Sequence, residues 1–198
     1  MSFSIILLSN DVRNNRLLQS DALYNKLNER QKKEAINKAV CLGKLAAFEL
    51  KKSFPNADVQ EVLKQMGVNV VEDTSQYSEI LPFSIYRYKS ETIILYTNVV
   101  QKLAERLTEY SSLSKYEVLK RVNQIILYHE LFHHMEKVCY GSVARQVQIP
   151  IFKLGFIRVQ SGIKVLSEIS AHTFVNECVG SVEQFLKICS KEVIENGL

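Results

Sequence analysis

The sequence predicts an α+β fold in which a small three-stranded sheet packs on helices. Three neighbouring segments between residues 68 and 97 are rich in β-branched and aromatic residues, a composition that favours strands. The segments on either side carry apolar residues at helical spacing, and two of them follow helix-capping patterns. The 198 residues, 46% of them hydrophobic, suffice for one domain with its own core.

The N-terminal part is expected to contain a short strand and a long helix. Residues 3–9, FSIILLS, form an apolar segment that is too short to span a membrane and lacks the basic flank of a signal peptide. Residues 20–54 are rich in Lys, Glu, Ala and Leu without proline, which predicts one amphipathic helix or two helices broken near Gly43. This helical segment either backs the core or mediates self-association. Its apolar face is expected to contain Leu23, Leu27, Ile36, Val40 and Phe48.

A short helix and a sheet are expected next. Asp58 with Glu61 three residues later has the form of an N-cap, so a helix should run to Met66 and stop at Gly67. The strands are predicted over residues 68–71, 81–88 and 92–97. Because only Lys89-Ser90-Glu91 separates the last two, we expect a three-stranded meander closed by a hairpin.

The remaining chain is predicted to be largely helical. One helix follows Asn98, and the capping box of Ser114 and Glu117 begins another that runs toward Gly141. Glycines and a proline in the next segment indicate an irregular connection. This connection is expected at residues 141–162. Two closing helices are expected, one at residues 163–179 and one after Gly180-Ser181.

The charge and the cysteines exclude several classes of protein. Twenty-five basic and twenty-one acidic residues give a charge of +4 without a long run of like charges, so no nucleic-acid partner is implied. No apolar run approaches membrane-spanning length, and the expected compartment is the cytoplasm. The four cysteines form no CxxC pair and are expected to be reduced and mostly buried: Cys41, Cys139, Cys178 and Cys189.

The stretch ILYHELFHHME contains an HExxH motif from His129 to His133. Residues four apart lie on one helical face, about 6 Å apart along the axis, so both imidazoles can bind one metal ion. Zinc lowers the pKa of a bound water to about 7, and Glu130 can accept the proton as that water attacks a peptide carbonyl. Both histidines continue an apolar stripe, which favours a metal site over the alternative, a pair of hydrogen-bonded core histidines beside a solvated Glu130. His134 lies about 140° around the helix from His129 and is expected at the surface.

A catalytic zinc site usually has a third protein ligand. The metzincin pattern fails, because it needs glycine and histidine where the chain has Glu136 and Cys139. The gluzincin pattern needs a glutamate on a later helix, and Glu168 lies there on a largely apolar face, near the small Ala171. A buried salt bridge to a lysine is the alternative role for Glu168. Weaker candidates for the third ligand are Glu177, Glu183 and Glu192.

His172 lies one helical turn after Glu168 and should point toward the same site. It is a candidate to orient a ligand or to stabilise the developing oxyanion, and an ordinary core histidine remains the alternative. Tyr140 and Tyr96 are further candidates for the oxyanion partner.

In these motifs the chain resembles the ImmA/IrrE family of small gluzincin-type metallopeptidases. The resemblance covers residues 58–180 and includes a helix leading into a Gly-Val strand at residues 62–70, the strand TIILYTN at 92–98, and the apolar lead into HExxH at 125–133. It ends with an ExxAxxF helix formed by Glu168, Ala171 and Phe174. The chain departs from the family at Phe132, where glycine is usual, and at His172, where Asn or Asp is usual.

The resemblance implies a minimal gluzincin-like fold over residues 58–198, with residues 1–57 packing on it. It implies an intracellular protease, and the leading interpretation is a zinc-dependent endopeptidase of narrow specificity. Its ligands are His129, His133 and Glu168 and its general base is Glu130, although another divalent metal would also suit these ligands. Some relatives cleave transcriptional repressors, so the expected partner is a protein substrate, with a transcriptional regulator as one candidate and no nucleic acid or membrane.

A bound peptide is expected to pair with an edge strand of the sheet. We assign this role to the strand at residues 92–97, with Ile93, Ile94, Leu95 and Tyr96 as substrate-binding residues.

The rival interpretation is a binding or regulatory protein that keeps the metal or only the fold. Two residues favour it: Phe132 can crowd the cleft, and His172 can complete a closed site with four protein ligands. The oligomeric state stays open.

Overall fold

The computed structural model describes residues 10–75, 82–109, 111–154 and 157–189, and in these ranges the fold is α+β as predicted. The expected strand at residues 3–9, the start of the second predicted strand at Leu81, and Glu192 lie outside the described residues. The helices are α1 (Asn10–Gln19), α2 (Glu29–Ser53), α3 (Val59–Gln65), α4 (Thr97–Glu109), α5 (Lys115–Met135), α6 (Val165–Val179) and α7 (Val182–Ile188). The strands are β1 (Asn69–Asp73), β2 (Ser84–Arg87), β3 (Thr92–Tyr96), β4 (Gln148–Leu154) and β5 (Ile157–Gly162).

The three-stranded sheet is mixed, and the predicted meander is wrong. Its order is β1-β3-β2, with β1 parallel and β2 antiparallel to β3. The central strand is therefore β3. It carries three consecutive buried residues, Ile93, Ile94 and Leu95, which is typical of a strand covered on both faces. Both of its edges are hydrogen-bonded within the sheet, so the assignment of Ile93 to Tyr96 as the peptide-pairing strand is also wrong.

The long N-terminal helix begins later than predicted and continues without a break. Asn28 caps α2 in a capping box with Gln31, so Leu23 and Leu27 precede the helix. Phe48 is 67% exposed instead of packing in the core. The buried face consists mainly of small residues, Ala35, Ala39, Gly43, Ala46, Ala47 and Leu50.

That small face allows α2 to approach α6 closely. A Cβ on Gly43 would lie 2.4 Å from the carbonyl oxygen of Ser170 and 2.8 Å from Cβ of Thr173. The Ser170 hydroxyl donates a hydrogen bond of 2.8 Å to the carbonyl of Ala39. Gly43 is therefore a contact point between helices, and α2 supports the helix that carries Glu168.

The capping predictions for α3 and α5 are confirmed. Asp58 accepts a hydrogen bond from the backbone of Glu61, and Ser114 forms a reciprocal capping box with Glu117. A π-helical turn, Glu136–Tyr140, extends α5 until Gly141 ends it at φ +69°. The HExxH motif thus lies in the last two turns of a long capped helix.

The segment predicted as an irregular connection contains a β-hairpin. Here β4 and β5 pair antiparallel, with a register shift between Pro150 and Phe152. A proline lacks the N–H needed for the ladder, and an irregularity accommodates it. Pro150 therefore marks a distorted hairpin, whereas the two closing helices are confirmed.

The core continues through both faces of α5. Phe132 and Leu131 belong to the cluster that α2, α3 and α6 share, while Val118 and Val122 belong to a second cluster with α4 and α7. The motif helix therefore packs between two apolar layers.

Two further sequence predictions concern membrane-spanning segments and the burial of the cysteines. Within the described ranges, no helix has the combined length and apolar character needed to cross a membrane. The cysteines are unpaired thiols, but the expectation that most are buried is wrong, because Cys41 and Cys139 are exposed.

Candidate metal centre

The structure brings the three predicted metal ligands together. His129 and His133 lie one turn apart on α5, and Glu168 lies in the first turn of α6. The Nε2 atoms of the two histidines are 3.2 Å apart. His129 Nε2 is 3.4 Å from Glu168 Oε2, and His133 Nε2 is 3.5 Å from Glu168 Oε1. A tetrahedral zinc with bonds of about 2.0–2.1 Å would hold its ligands about 3.3–3.4 Å apart, so these side chains fit the ion.

The charges of the site also favour a cation. Burial works against ionisation of Glu168, but the hydrogen bond from His129 and the nearby imidazoles lower the pKa of this carboxyl to about 2. Burial opposes protonation of His129 as well, yet the hydrogen bond to Glu168 and the charges of Glu168 and Glu130 raise its pKa. Glu168 is paired with histidines, and no lysine of the described ranges forms an ion pair with it, which argues against a buried salt bridge to a lysine as its role.

His172 lies beside this group. Its ring is 5.2 Å from that of His129, and its Nε2 is buried without a hydrogen-bond partner among the described residues. Its nearest ligand atom and those of His129 and Glu168 lie within 4.8 Å of one another. Burial, reinforced by His129, lowers the pKa of His172 well below its usual value, so the ring is neutral and able to bind a metal. Two triads therefore share His129 and Glu168, and the one completed by His133 is tighter.

A buried carboxylate that the sequence analysis missed orients His133. Glu136 Oε2 lies 3.5 Å from Nδ1 of His133, and Ser167 donates to the same oxygen at 2.5 Å. The backbone N–H of Val143 donates to Glu136 Oε1 at 2.8 Å. Burial raises the pKa of Glu136, but its hydrogen bonds with His133 and Ser167 outweigh this effect and lower it. In metal sites, the ring nitrogen of a ligand histidine that does not bind the metal usually contacts a carboxylate, which orients the ring. The acid three residues after His133 was the sequence feature that could have identified Glu136.

Glu130 faces the same cleft. It is only 7% exposed, and its Oε1 accepts a hydrogen bond of 2.5 Å from the hydroxyl of Ser84 on β2. Oε2 has no hydrogen bond to the described residues. The cleft has a volume of about 410 Å³, as ligand sites of small molecules and short peptides do. Among its lining residues are Arg13, Phe83, Ser84, Ile85, Tyr88, His129, Glu130, His133, Glu168 and His172.

The prediction that His134 lies at the surface is wrong. The residue is 3% exposed, and its Nδ1 lies 2.7 Å from the hydroxyl of Tyr86. Because β2 packs against α5, the helix face that carries His134 is covered by the sheet. The position of this strand depends on pairing between distant segments, which helical periodicity does not reveal.

Of the candidate oxyanion partners, some line the cleft and others do not. Tyr140 donates its hydroxyl to Glu49, and Tyr96 does not line the cleft. His172 does line it, and so does Tyr88, which the sequence analysis missed. Burial and the carboxylates of Glu136, Glu130 and Glu168 raise the pKa of Tyr88, so its hydroxyl remains a hydrogen-bond donor.

Phe132 does not crowd the cleft. The side chain is fully buried, and its ring centroid lies 5.6 Å from that of Phe174 in the core. The weaker glutamate candidates that the structure describes, Glu177 and Glu183, are absent from the ligand group. Among the described residues, the candidate ligands are therefore His129 and Glu168 together with His133 or His172.

No protein-family model, curated protein or solved structure matches this chain. The geometry of the cleft is therefore the basis for a functional conclusion.

Proposed function

We propose that the protein is a zinc-dependent peptidase that hydrolyses peptide bonds of a protein substrate, of the gluzincin type that its motifs resemble. The observation that carries this proposal is the near-tetrahedral spacing of His129, His133 and Glu168, with ligand atoms 3.2–3.5 Å apart. Glu130 on the same helix supplies the carboxylate that such chemistry needs.

The chain's own residues have distinct roles in this proposal. A zinc ion would supply Lewis acidity that polarises the scissile carbonyl and acidifies water. Glu130 takes a proton from the attacking water and returns it to the leaving amine, while Ser84 fixes its orientation. Tyr88 and His172, which line the cleft, would stabilise the developing negative charge.

A substrate peptide would bind along β2. Within the described sheet, this strand is paired on one side only, and its residues line the cleft beside Glu130. Backbone hydrogen bonds to an edge strand would hold the peptide extended across the metal ligands. A transcriptional regulator is one candidate substrate, by resemblance to the ImmA/IrrE family.

A second candidate function is metal binding without catalysis. The buried, unpartnered Nε2 of His172 favours it, because a fourth protein ligand would close the coordination sphere. Against it stands Phe132, whose side chain packs in the core and leaves the cleft open.

The deciding experiment measures the zinc content of wild type, Glu168→Ala and His172→Ala. An open three-ligand site predicts about one zinc in the wild type, loss in Glu168→Ala and retention in His172→Ala. Glu177→Ala, exposed on the same helix, is the matched control and should retain zinc. Loss of zinc in both test variants would favour the closed site, and a wild type that never holds zinc would overturn the proposal.

Catalysis is tested with Glu130→Gln. This variant should keep its zinc but lose about 10²-fold or more in cleavage of a proteome-derived peptide mixture, measured as new N-termini by mass spectrometry. Equal cleavage by the wild type and Glu130→Gln would exclude the assigned base.

A further inference from the structure

A buried arginine lines the cleft beside the candidate metal centre. Arg13 on α1 is 2% exposed, and its Nε–H is buried without a hydrogen-bond partner among the described residues. No other lysine or arginine appears among the described lining residues. This arginine has no role in the proposed hydrolysis.

Neutral groups hold the guanidinium in place. Nη2 of Arg13 donates a hydrogen bond of 2.6 Å to Oδ1 of Asn10, and the same oxygen accepts one of 3.0 Å from Asn176 on α6. The described residues provide no carboxylate within ion-pair distance of Arg13. Burial lowers the pKa of Arg13, whereas the negative charge of Glu183 raises it.

An unpaired buried cation is costly, and a bound anion would remove that cost. The planar guanidinium presents paired N–H groups that match the two oxygens of a carboxylate. The charge of Arg13 also acts on His172, and both residues line the cleft that contains the metal centre. Phe83, Ile85 and Val175 give the cleft apolar walls, which strengthen such a charged contact.

We infer that Arg13 forms a carboxylate-binding subsite next to the metal centre, so that the preferred substrate carries a carboxylate close to the scissile bond. This inference rests on the proposed peptidase function. The carboxylate has two sources, the free C-terminus of a peptide or the side chain of an aspartate or glutamate. The first source makes the protein an exopeptidase, and the second makes it an endopeptidase that selects acidic sites.

The test uses peptide hydroxamates, because a hydroxamate binds zinc whatever sequence is attached. In the first series, the C-terminal carboxylate lies at increasing distance from the hydroxamate, and a matched control series has a C-terminal amide instead. In the second series, all peptides end in an amide and carry an aspartate, and a matched control series carries asparagine instead. Dissociation constants are measured by calorimetry on the zinc-loaded wild type, Arg13→Met, Arg13→Lys and the control Arg16→Met, whose arginine is exposed on the same helix.

The subsite predicts that one carboxylate series binds the wild type and Arg16→Met at least tenfold more tightly than its amide partner. The preference should vanish in Arg13→Met and be reduced in Arg13→Lys, and the series that shows it identifies the source of the carboxylate. Thermal unfolding and zinc content are expected to stay close to those of the wild type in Arg13→Met, because an apolar side chain of similar length relieves the buried unpaired charge, which offsets the loss of the hydrogen bond to Asn10.

Equal binding of carboxylates and amides by the wild type would overturn the subsite while leaving the metal centre intact, and this comparison needs no variant. A tenfold preference that persists in folded Arg13→Met would also overturn the assignment to Arg13. If no hydroxamate binds at all, the proposed metal centre fails, and the inference that rests on it fails as well.

Discussion

At the scale of single residues, the support for His133 is as informative as the ligands themselves. Glu136 is a buried acid that accepts hydrogen bonds from Ser167 of α6 and from the backbone N–H of Val143, and its Oε2 lies 3.5 Å from Nδ1 of the ligand histidine. An acid in this position fixes which imidazole nitrogen carries the proton and raises the basicity of the other.

Replacing Glu136 with glutamine should therefore weaken zinc binding. We expect affinity to fall about 10–100-fold, because the neutral amide no longer supports His133 as a carboxylate does. Competition with a chromophoric chelator measures the change. Glu177→Gln, exposed on α6, should bind zinc like the wild type, and an unchanged affinity in Glu136→Gln would show that the carboxylate is dispensable.

The contact between Tyr86 and His134 is expected to stabilise the fold. Tyr86→Phe removes the hydroxyl that lies 2.7 Å from the buried Nδ1 of His134 and leaves that nitrogen unsatisfied. The free energy of unfolding should decrease by about 1–3 kcal/mol, measured by urea denaturation. Tyr116→Phe, which alters a side chain that is 74% exposed, should change it little. Equal effects in the two variants would argue against a structural role for the contact.

At the scale of helices, the site depends on how closely α2 approaches α6. Intrinsic propensity favours alanine over glycine within a helix by about 1 kcal/mol. Gly43 nevertheless occupies the interior of α2, because any side chain there would meet the backbone of Ser170. Packing between elements outweighs local preference at this position.

Gly43→Ala should accordingly destabilise the protein despite the better helix former. A Cβ placed 2.4 Å from the Ser170 oxygen forces the two helices apart, and we expect a loss of about 1–3 kcal/mol in unfolding free energy. Denaturant unfolding measures it, with Lys44→Ala on the exposed face as the control. A gain in stability on Gly43→Ala would show that the helices separate at no cost.

At the scale of the whole molecule, the proposed metal would join two long helices from distant parts of the chain. His129 and His133 lie on α5 and Glu168 on α6, and both helices contribute to the core. A ligand that binds only the folded state stabilises it by mass action. The metal centre is therefore expected to contribute to stability as well as to catalysis.

Removing the metal should lower the temperature of unfolding. At a free zinc concentration one hundred times the dissociation constant, the expected stabilisation is about 2.7 kcal/mol, which chelation with EDTA would abolish. Scanning calorimetry with and without chelator measures the difference, and readdition of zinc should restore it. His133→Ala, which lacks one ligand, should show little response to EDTA, whereas an unresponsive wild type would argue against a site that links the two helices.

The local parts of this fold could be predicted from the sequence. Asp58 and Ser114 mark the starts of α3 and α5 because a capping side chain bonds to a backbone group only three residues away. The two histidines of HExxH and the neighbouring Glu168 and His172 share faces by helical geometry alone. These short-range relations pair the two histidines, whereas Glu168 was assigned from the gluzincin pattern, and the structure shows the three side chains together.

The sequence by itself thus determined the capped helices α3 and α5 and the chemical groups that each site helix carries. Only the tertiary structure decided that β3 is central and β2 is the edge, that a sheet buries His134, and that Arg13 lies in the cleft. The orientation of His133 by Glu136 and Ser167 likewise required α5 and α6 to meet. Strand order and side-chain burial depend on contacts between residues far apart in the chain, whereas caps and helical faces depend on neighbours within about one turn.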